Sequence, residues 1–262
     1  MFEQVEAVRF DRKMANGRTS PLLLECEQDD GLTVEVVAKF SKLCSVGGLV
    51  REAMMAMLAS DLGLPVPAPF LVRISAEFID SIPDAAAANL LRESDAFGFG
   101  SRRLPDGYGQ WTEPGGRMSD EMEQEATDIM ALDCWLTNSD RRTTNPNLLT
   151  NGRRFAIFDH ELALIPSLFG WAEPWKDNAL AGAKPPGDHV FFGHLRGRAS
   201  YLTDAVRKLL AELKDARITE YVAALPPSWV AFENVANDAR SYIKTLRDNA
   251  PGADKELKRA LA

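Results

Sequence analysis

The chain has 262 residues, of which 45% are hydrophobic and 26% are charged, proportions that are ordinary for a soluble globular protein. This length allows one large domain or two parts around a cleft. The formal net charge of −8 argues against nucleic acid as the main partner, although a local basic patch can lie within an acidic total.

The first part of the sequence predicts a small antiparallel sheet. Residues 4–10 alternate apolar and polar side chains, as a half-buried strand does. After a turn-rich stretch with Gly17 and Pro21, LLLECEQ predicts a second strand, and LTVEVVAKF predicts a third with Lys39 near its end. The turn between these two strands is predicted at residues 29–31, because Asp-Asp-Gly is typical of a hairpin.

The rest of the chain alternates helices, strands and loops. Helical spacing predicts a helix at residues 49–64, which Gly63 and the following prolines end. FLVRISAEFI predicts another strand and PDAAAANLLRES a short helix, whereas the Gly- and Pro-rich residues 97–116 predict loops. A helix capped by Ser119 comes next, then two short strands (NLL and RRFAIFD), and mostly helices from about residue 200.

Asp140, Asn145 and Asp159 have the spacing of the catalytic residues of protein kinases. In that pattern the first Asp orients and deprotonates the acceptor hydroxyl, the Asn binds Mg²⁺, and the later Asp binds the metal ions that bridge the phosphates. Each residue alone has a simpler explanation, since Asn-Ser-Asp and Asn-Pro are common in turns and Asp159 fits a surface carboxylate. The three together, with a predicted hairpin between them, favour phosphoryl transfer.

Lys39 and Glu52 are predicted to complete this machinery. VVAKF places a lysine on a strand after an apolar run, where a kinase lysine binds ATP phosphates and pairs with a helix Glu. Glu52 lies thirteen residues later in the next predicted helix. The alternatives are a lysine that reaches from a half-buried strand to water and a glutamate on a helix surface.

The loop at residues 16–21 lies where a phosphate-covering loop is expected. It has one glycine and does not match G-x-G-x-x-G, so a plain hairpin loop is an equal alternative. Arg18, Thr19 and Ser20 carry groups that can donate hydrogen bonds to phosphate.

These elements predict an α+β fold of the bilobal protein kinase type. A sheet-containing lobe would span residues 1–80 and a helix-rich lobe residues 81–262, together forming one domain with ATP between the lobes. The hinge is expected around residues 77–80, so Glu77 and Ile79 are candidate contacts for adenine.

Other polar residues are less informative. His189 and His194 have no nearby acidic or thiol partner in the sequence, which favours surface histidines over a metal site. Arg141 and Arg142 would either steer an acidic substrate or stabilise the catalytic loop, and the sequence does not separate these roles.

The three cysteines and the N-terminus favour a cytoplasmic location. Cys26, Cys44 and Cys134 match no zinc motif and no compact disulfide framework, which fits a reducing compartment. The opening MFEQVEAVRFDRK lacks the apolar core of a secretion signal, and no run approaches the roughly 20 apolar residues of a membrane span. We therefore expect no membrane association.

The motifs resemble those of the HipA-like kinases, a bacterial branch distantly similar to phosphatidylinositol 3/4-kinases. The resemblance covers roughly residues 15–165 and rests on GRTSPLLLEC, VVAKF, REAMMAMLASDLGLPVPAP, NSDRRTTNPNLL and FDHELAL. It implies a Ser/Thr protein kinase-like activity that uses ATP and Mg²⁺. Lys39 would then bind the ATP phosphates, Asp140 would be the catalytic residue, and Asn145 and Asp159 would bind magnesium.

Two departures from the family pattern limit this implication. Toxin members of the family act in toxin–antitoxin pairs, but this chain is more similar to the compact HipA-like domain proteins, so an antitoxin partner stays open. Glu161 stands where a glycine often follows Asp-His in relatives, so the conformation of the metal-binding loop is expected to differ.

Three functions remain open at this point. The first is an ATP- and Mg²⁺-dependent kinase acting on a protein hydroxyl. The second is a small-molecule kinase or nucleotidyl transferase on the same scaffold, because irregular loops decide the acceptor. The third is a catalytically silent nucleotide-binding or interaction module, which the complete set of polar residues disfavours.

Overall fold

Five strands close into a barrel in the N-terminal part of the chain. The computed structural model describes residues 2–14, 19–111, 118–183, 185–198 and 204–262. The barrel strands are β1 (Glu3–Lys13), β2 (Leu22–Glu27), β3 (Thr33–Lys39), β4 (Pro69–Arg73) and β5 (Phe97–Arg102). Around the barrel they follow the order β1-β2-β3-β5-β4. The β1–β4 pair is parallel, whereas the other neighbours are antiparallel.

Alternate side chains of the strands fill the barrel. On β3, Val34, Val36 and Ala38 are buried, whereas Thr33 and Glu35 are exposed. Successive side chains of a strand point to opposite faces of the sheet. Lys39 follows Ala38 and therefore belongs to the outer face of β3.

The prediction of a loop at the start of residues 97–116 is wrong, because residues 97–102 form β5. Its two glycines fit the close approach of neighbouring strands. A Cβ on Gly100 would lie 2.6 Å from Cγ2 of Val72, and a Cβ on Gly98 would lie 2.7 Å from the carbonyl oxygen of Lys39. Glycine inside a strand often marks such a close approach rather than a loop.

The helices lie between and after the strands. They are α1 (Ser41–Cys44), α2 (Val46–Asp61), α3 (Ala76–Ser81), α4 (Ala85–Arg92), α5 (Asp120–Trp135), α6 (Phe192–Leu195), α7 (Asp204–Glu212), α8 (Asp215–Ala223), α9 (Pro227–Val230), α10 (Val235–Asp248) and α11 (Ala250–Leu261). A second sheet contains β6 (Gly109–Gln110), β7 (Leu148–Thr150) and β8 (Phe155–Ile157) in this order. The mixed α+β class is therefore confirmed.

The expected hinge segment is a helix attached to the barrel. The predicted strand FLVRISAEFI ends at Arg73, and α3 follows it. The hydroxyl oxygen of Ser75 accepts a hydrogen bond from the backbone nitrogen of Phe78 at 3.1 Å, which caps the helix, and Glu77 in the first turn suits the helix dipole. The chain then returns to the barrel as β5, so the barrel continues past the predicted boundary at residue 80.

Helix α2 connects the barrel with the helical part of the chain. It contacts β4 and β5 of the barrel and also packs against α8, α9 and α10. Most of its side chains are buried on both sides. A residue on α2 can therefore be held between the barrel and the helical part, and Glu52 is such a residue.

No helix in the described ranges combines the length and the apolar character that a membrane span needs.

Candidate active site

The side chain of Lys39 contacts two carboxylates from different elements. Its amine Nζ pairs with Oε1 of Glu52 on α2 and donates to Oδ1 of Asp159 at 2.7 Å. Burial alone would lower the pKa of Lys39, but the carboxylates of Glu52 and Asp159 outweigh burial and hold the pKa above its usual value. Lys39 therefore stays positively charged.

Glu52 joins Lys39 to the segment that follows β8. Its side chain is only 1% exposed, and Oε2 accepts a hydrogen bond from the backbone nitrogen of His160 at 2.9 Å. Burial alone would raise the pKa of Glu52, but Lys39 and His160 hold the pKa well below its usual value. The carboxylate is therefore ionised and fixed at both oxygens.

Asp159 lies at a sharp change of direction after β8. Its φ of 62° is in the left-handed region, which is uncommon for residues other than glycine. Burial, together with the negative charges of Glu52 and Glu161, raises its pKa against the opposing effect of Lys39. Such backbone strain and an unfavourable charge are more common at functional sites than elsewhere.

Glu161 attaches the same segment to the start of α2. Its backbone oxygen accepts a hydrogen bond from Nε of Arg51 at 2.7 Å, and its Oε2 accepts one from the thiol of Cys44 at 3.0 Å. Burial raises the pKa of the Cys44 thiol, so the thiol keeps the proton that it donates. The residue that departs from the family pattern is thus a structural contact, which the sequence analysis did not predict.

Asp140 is held by three side chains of its own loop. Its Oδ2 accepts hydrogen bonds from the amide nitrogens of Asn145 and Asn147, both at 2.9 Å. Its Oδ1 accepts one from Arg142 at 3.1 Å. The side chain is 16% exposed. Asn147 was not predicted as a contact of Asp140, although it follows Asn145-Pro146 directly in the sequence.

Arg141 connects the two groups of polar residues. Its guanidinium is fully buried, and NH1 donates to the backbone oxygens of Asn147 and Phe158, the latter at 3.3 Å. Asn147 bonds to Asp140, and Phe158 directly precedes Asp159. These contacts of Arg141 favour the stabilising role for this residue, whereas Arg142 is half-exposed beside Asp140.

A buried network behind this loop was not predicted. Asp133 on α5 accepts hydrogen bonds from Asn138, Arg141 and His189. The expectation of a surface histidine is wrong for His189, which is 2% exposed, because its ring is covered where residues 186–191 pack against the loop. A charged residue inside the apolar run of α5, DIMALDCW, was the available signal for a buried partner.

The other predicted residues are not among the contacts described above. Arg18 lies outside the described residues. Thr19 is buried, and Ser20 is half-buried with a φ of 46°. Glu77 is exposed on α3, and Ile79 packs against the barrel core, because α3 lies between the barrel strands β4 and β5 in the chain. Their contact with adenine stays a prediction.

Oxygen ligands for a divalent cation are available in the site. One carboxylate oxygen from each of Glu52, Asp159 and Glu161 lies within 4.8 Å of the others. Asn145 is close to Asp140 instead, and its bond to Asp140 uses the amide nitrogen, so the side-chain carbonyl oxygen is not used in that bond. Such oxygen donors match the preference of Mg²⁺.

Replacing Lys39 with Met should lower the free energy of unfolding by about 3–5 kcal/mol, because Glu52 would remain as a buried and unpaired charge. Adding Glu52→Gln to this variant should recover most of the loss. The measurement is urea denaturation of the single and double variants.

Lys42→Met is the matched control for this prediction. Lys42 pairs with Glu93 at the surface, where the two side chains are 47% and 56% exposed, so the expected change is about 1 kcal/mol or less. A loss for Lys39→Met no larger than that of the control would contradict a structural role of the buried pair.

Comparison with known proteins decides the family. The family model of the HipA-like kinases matches residues 7–248, a range that contains every polar residue of the site. The chain belongs to the HipA-like kinase family. The resemblance in the motifs is thereby confirmed, and kinase-type phosphotransferase activity, with ATP and a divalent cation, is what membership implies.

A solved structure supports the fold of this HipA-like kinase. The crystal structure of the proinflammatory kinase CtkA from Helicobacter pylori superposes with a TM-score of 0.56 at 11% sequence identity, and the similarity covers the full length of both chains. At this identity the similarity shows the fold alone. No curated protein matches the sequence.

Proposed function

We propose that this HipA-like kinase is an ATP- and Mg²⁺-dependent phosphotransferase whose acceptor is a Ser or Thr hydroxyl of a protein. The observation that carries the proposal is the contact of Lys39 with both Glu52 and Asp159. This contact joins a barrel strand, helix α2 and the segment after β8 at one buried ammonium group, that of Lys39. That arrangement is what phosphate binding beside a metal ligand requires.

Lys39 and its two carboxylates form the phosphate side of the proposed site. The amine of Lys39 donates to phosphate oxygens, while Glu52 keeps the amine charged and in place. Asp159 and the carbonyl oxygen of Asn145 are the proposed ligands of the metal. When bound, Mg²⁺ neutralises the charge that develops on the phosphates during transfer.

Asp140 is the proposed base for the acceptor hydroxyl. Its carboxylate is partly exposed, and the amide groups of Asn145 and Asn147 fix its orientation. A carboxylate so placed accepts the proton of the hydroxyl as the new bond forms. Arg142 donates to the other oxygen of Asp140 and helps to hold the carboxylate in place.

A cytoplasmic location forms part of the proposal. Cys26, Cys44 and Cys134 are free thiols and all three are buried. Free thiols of this kind agree with a reducing compartment, in which a protein acceptor and ATP are both present.

Labelled ATP distinguishes the proposed reaction from its alternatives. The purified protein is incubated with Mg²⁺, cell-lysate proteins and ATP that carries the label on either the γ- or the α-phosphate. We expect the protein fraction to be labelled only by ATP that carries the label on the γ-phosphate. The Asp140→Asn/Asp159→Asn variant should give no labelled protein. Label from α-ATP would indicate nucleotidyl transfer, and label confined to small molecules would indicate a small-molecule kinase. Equal labelling by the variant would contradict the assigned site.

A further inference from the structure

The loop that carries Asp140 is held from behind by a histidine that lies far away in the sequence. Nε2 of His189 lies 3.0 Å from Oδ2 of Asp133, which is 56 residues earlier, and both side chains are almost completely buried. We infer that His189 is a positioning residue for phosphoryl transfer, which acts through Asp133 and Arg141 to fix the loop of residues 138–147. This inference rests on the proposed function.

The contacts of His189 define which of its ring nitrogens carries the proton. Nδ1 accepts a hydrogen bond from the backbone nitrogen of Phe191 at 3.2 Å, so Nδ1 must be without a proton. Nε2 then carries the proton and donates a hydrogen bond to Oδ2 of Asp133. Burial lowers the pKa of His189 although Asp133 opposes this effect, which agrees with a neutral ring.

Asp133 transmits this contact to the loop. Its Oδ1 accepts from Asn138 at 2.7 Å, while Oδ2 accepts from Nε of Arg141 at 2.6 Å as well as from His189. Burial alone would raise the pKa of Asp133, but Arg141 and His189 hold the pKa well below its usual value. Each donor therefore helps to keep a buried charge in place, and the loss of one leaves that charge under-satisfied.

Both ends of the loop depend on these donors. The side-chain oxygen of Asn138 accepts from the backbone nitrogen of Asp140 at 3.3 Å. The guanidinium of Arg141 donates to the backbone oxygen of Asn147, whose side chain bonds to Asp140. The backbone oxygen of Arg141 also accepts from Val190, next to His189. The position of Asp140 is thus set from two directions.

This support meets the phosphate side of the site at Arg141, whose NH1 also donates to the backbone oxygen of Phe158, next to Asp159. His189 bonds to Asp133 and Phe191, whereas Lys39 bonds to Glu52 and Asp159. A change at His189 should therefore act first on Asp140 and lower kcat by a larger factor than it raises KM for ATP. Small displacements of a reacting group cost up to about 100-fold in rate.

Substitutions of His189 that keep or lose the donor to Asp133 test this inference. We expect His189→Phe to lower kcat by about 10–100-fold while KM for ATP changes by a smaller factor. His189→Gln places an amide nitrogen near the position of Nε2 and should retain kcat within about threefold of wild type. His189→Asn is too short to reach Asp133, so its kcat should be at least about tenfold below that of the Gln variant.

Hydrogen–deuterium exchange supplies a readout that does not need activity. The peptide covering residues 138–147 should exchange faster in the Phe and Asn variants but not in the Gln variant, and residues 39–52 should be unchanged in all. Should His189→Phe fail to fold, the Gln and Asn pair carries the test. Equal kcat for this pair, or unchanged exchange of the loop in the Asn variant, would overturn the inference.

The same experiment separates this inference from the proposed function. A wild-type protein that transfers no phosphate to any acceptor would end the proposed function. The exchange of residues 138–147 would still show whether His189 holds the loop.

Discussion

Replacing Asp140 with Asn should lower kcat for phosphoryl transfer by about 10²–10⁴-fold and leave KM for ATP nearly unchanged. The amide has the shape of the carboxylate and keeps an oxygen for the bonds from Asn145 and Asn147. It does not accept the proton of the hydroxyl. The measurement is steady-state kinetics with the protein acceptor identified by labelling, at saturating Mg²⁺.

Asp128→Asn is the control for this substitution. Asp128 is another half-buried carboxylate on α5, where burial raises its pKa to about 6, and it bonds to Gln124 rather than to the loop. Its replacement should leave kcat within about twofold of wild type. If Asp140→Asn has a kcat as high as this control, Asp140 is not the base.

Replacing Asp159 with Asn should weaken the Mg²⁺ dependence of ATP binding. The affinity for ATP in the presence of Mg²⁺ should fall by at least about 10–100-fold. Losses of this size follow the removal of a residue that only supports a metal ligand, and Asp159 is proposed to contact the metal itself. Titration of a fluorescent ATP analogue at several Mg²⁺ concentrations measures this effect. An unchanged Mg²⁺ requirement would contradict the role of Asp159.

The same substitution should stabilise the protein when no nucleotide is bound. The folded protein raises the pKa of Asp159 above the usual 3.8, so its folded state holds the proton more tightly than its unfolded state. Wild type therefore loses stability relative to the Asn variant as the pH rises above about 3.8 and through the raised pKa. In urea denaturation, the free energy of unfolding of the Asn variant relative to wild type should be higher at neutral pH than at acidic pH. A free energy of unfolding at neutral pH that is higher for wild type than for the Asn variant would contradict this.

The residues of the site could be predicted where local patterns determine them. Lys39 follows from alternation along β3, and Glu52 follows from its place in the next helix. The runs NLL and RRFAIFD predicted a hairpin between Asn145 and Asp159, and β7 and β8 form it. Elements of this kind could be predicted because each depends on a short stretch of sequence with a regular period, whereas the catalytic roles of the residues stay predictions.

Tertiary contacts explain what the sequence did not predict. Glycines in FGFG indicate a loop by composition, yet the crowding by Val72 and Lys39 requires them in a strand. Residues of α3 have strand-like composition, but the cap from Ser75 starts a helix. His189 reaches Asp133 only because the chain returns to the loop after more than fifty residues. Local propensity does not determine such contacts.

The most direct test of the account is a crystal structure with Mg²⁺ and a non-hydrolysable ATP analogue. The account predicts that phosphate oxygens lie within hydrogen-bonding distance of Nζ of Lys39. The metal should be bound by oxygens of Asp159 and Asn145, with Asp140 facing the terminal phosphate. A nucleotide bound elsewhere, or a metal bound by neither Asp159 nor Asn145, would contradict the account.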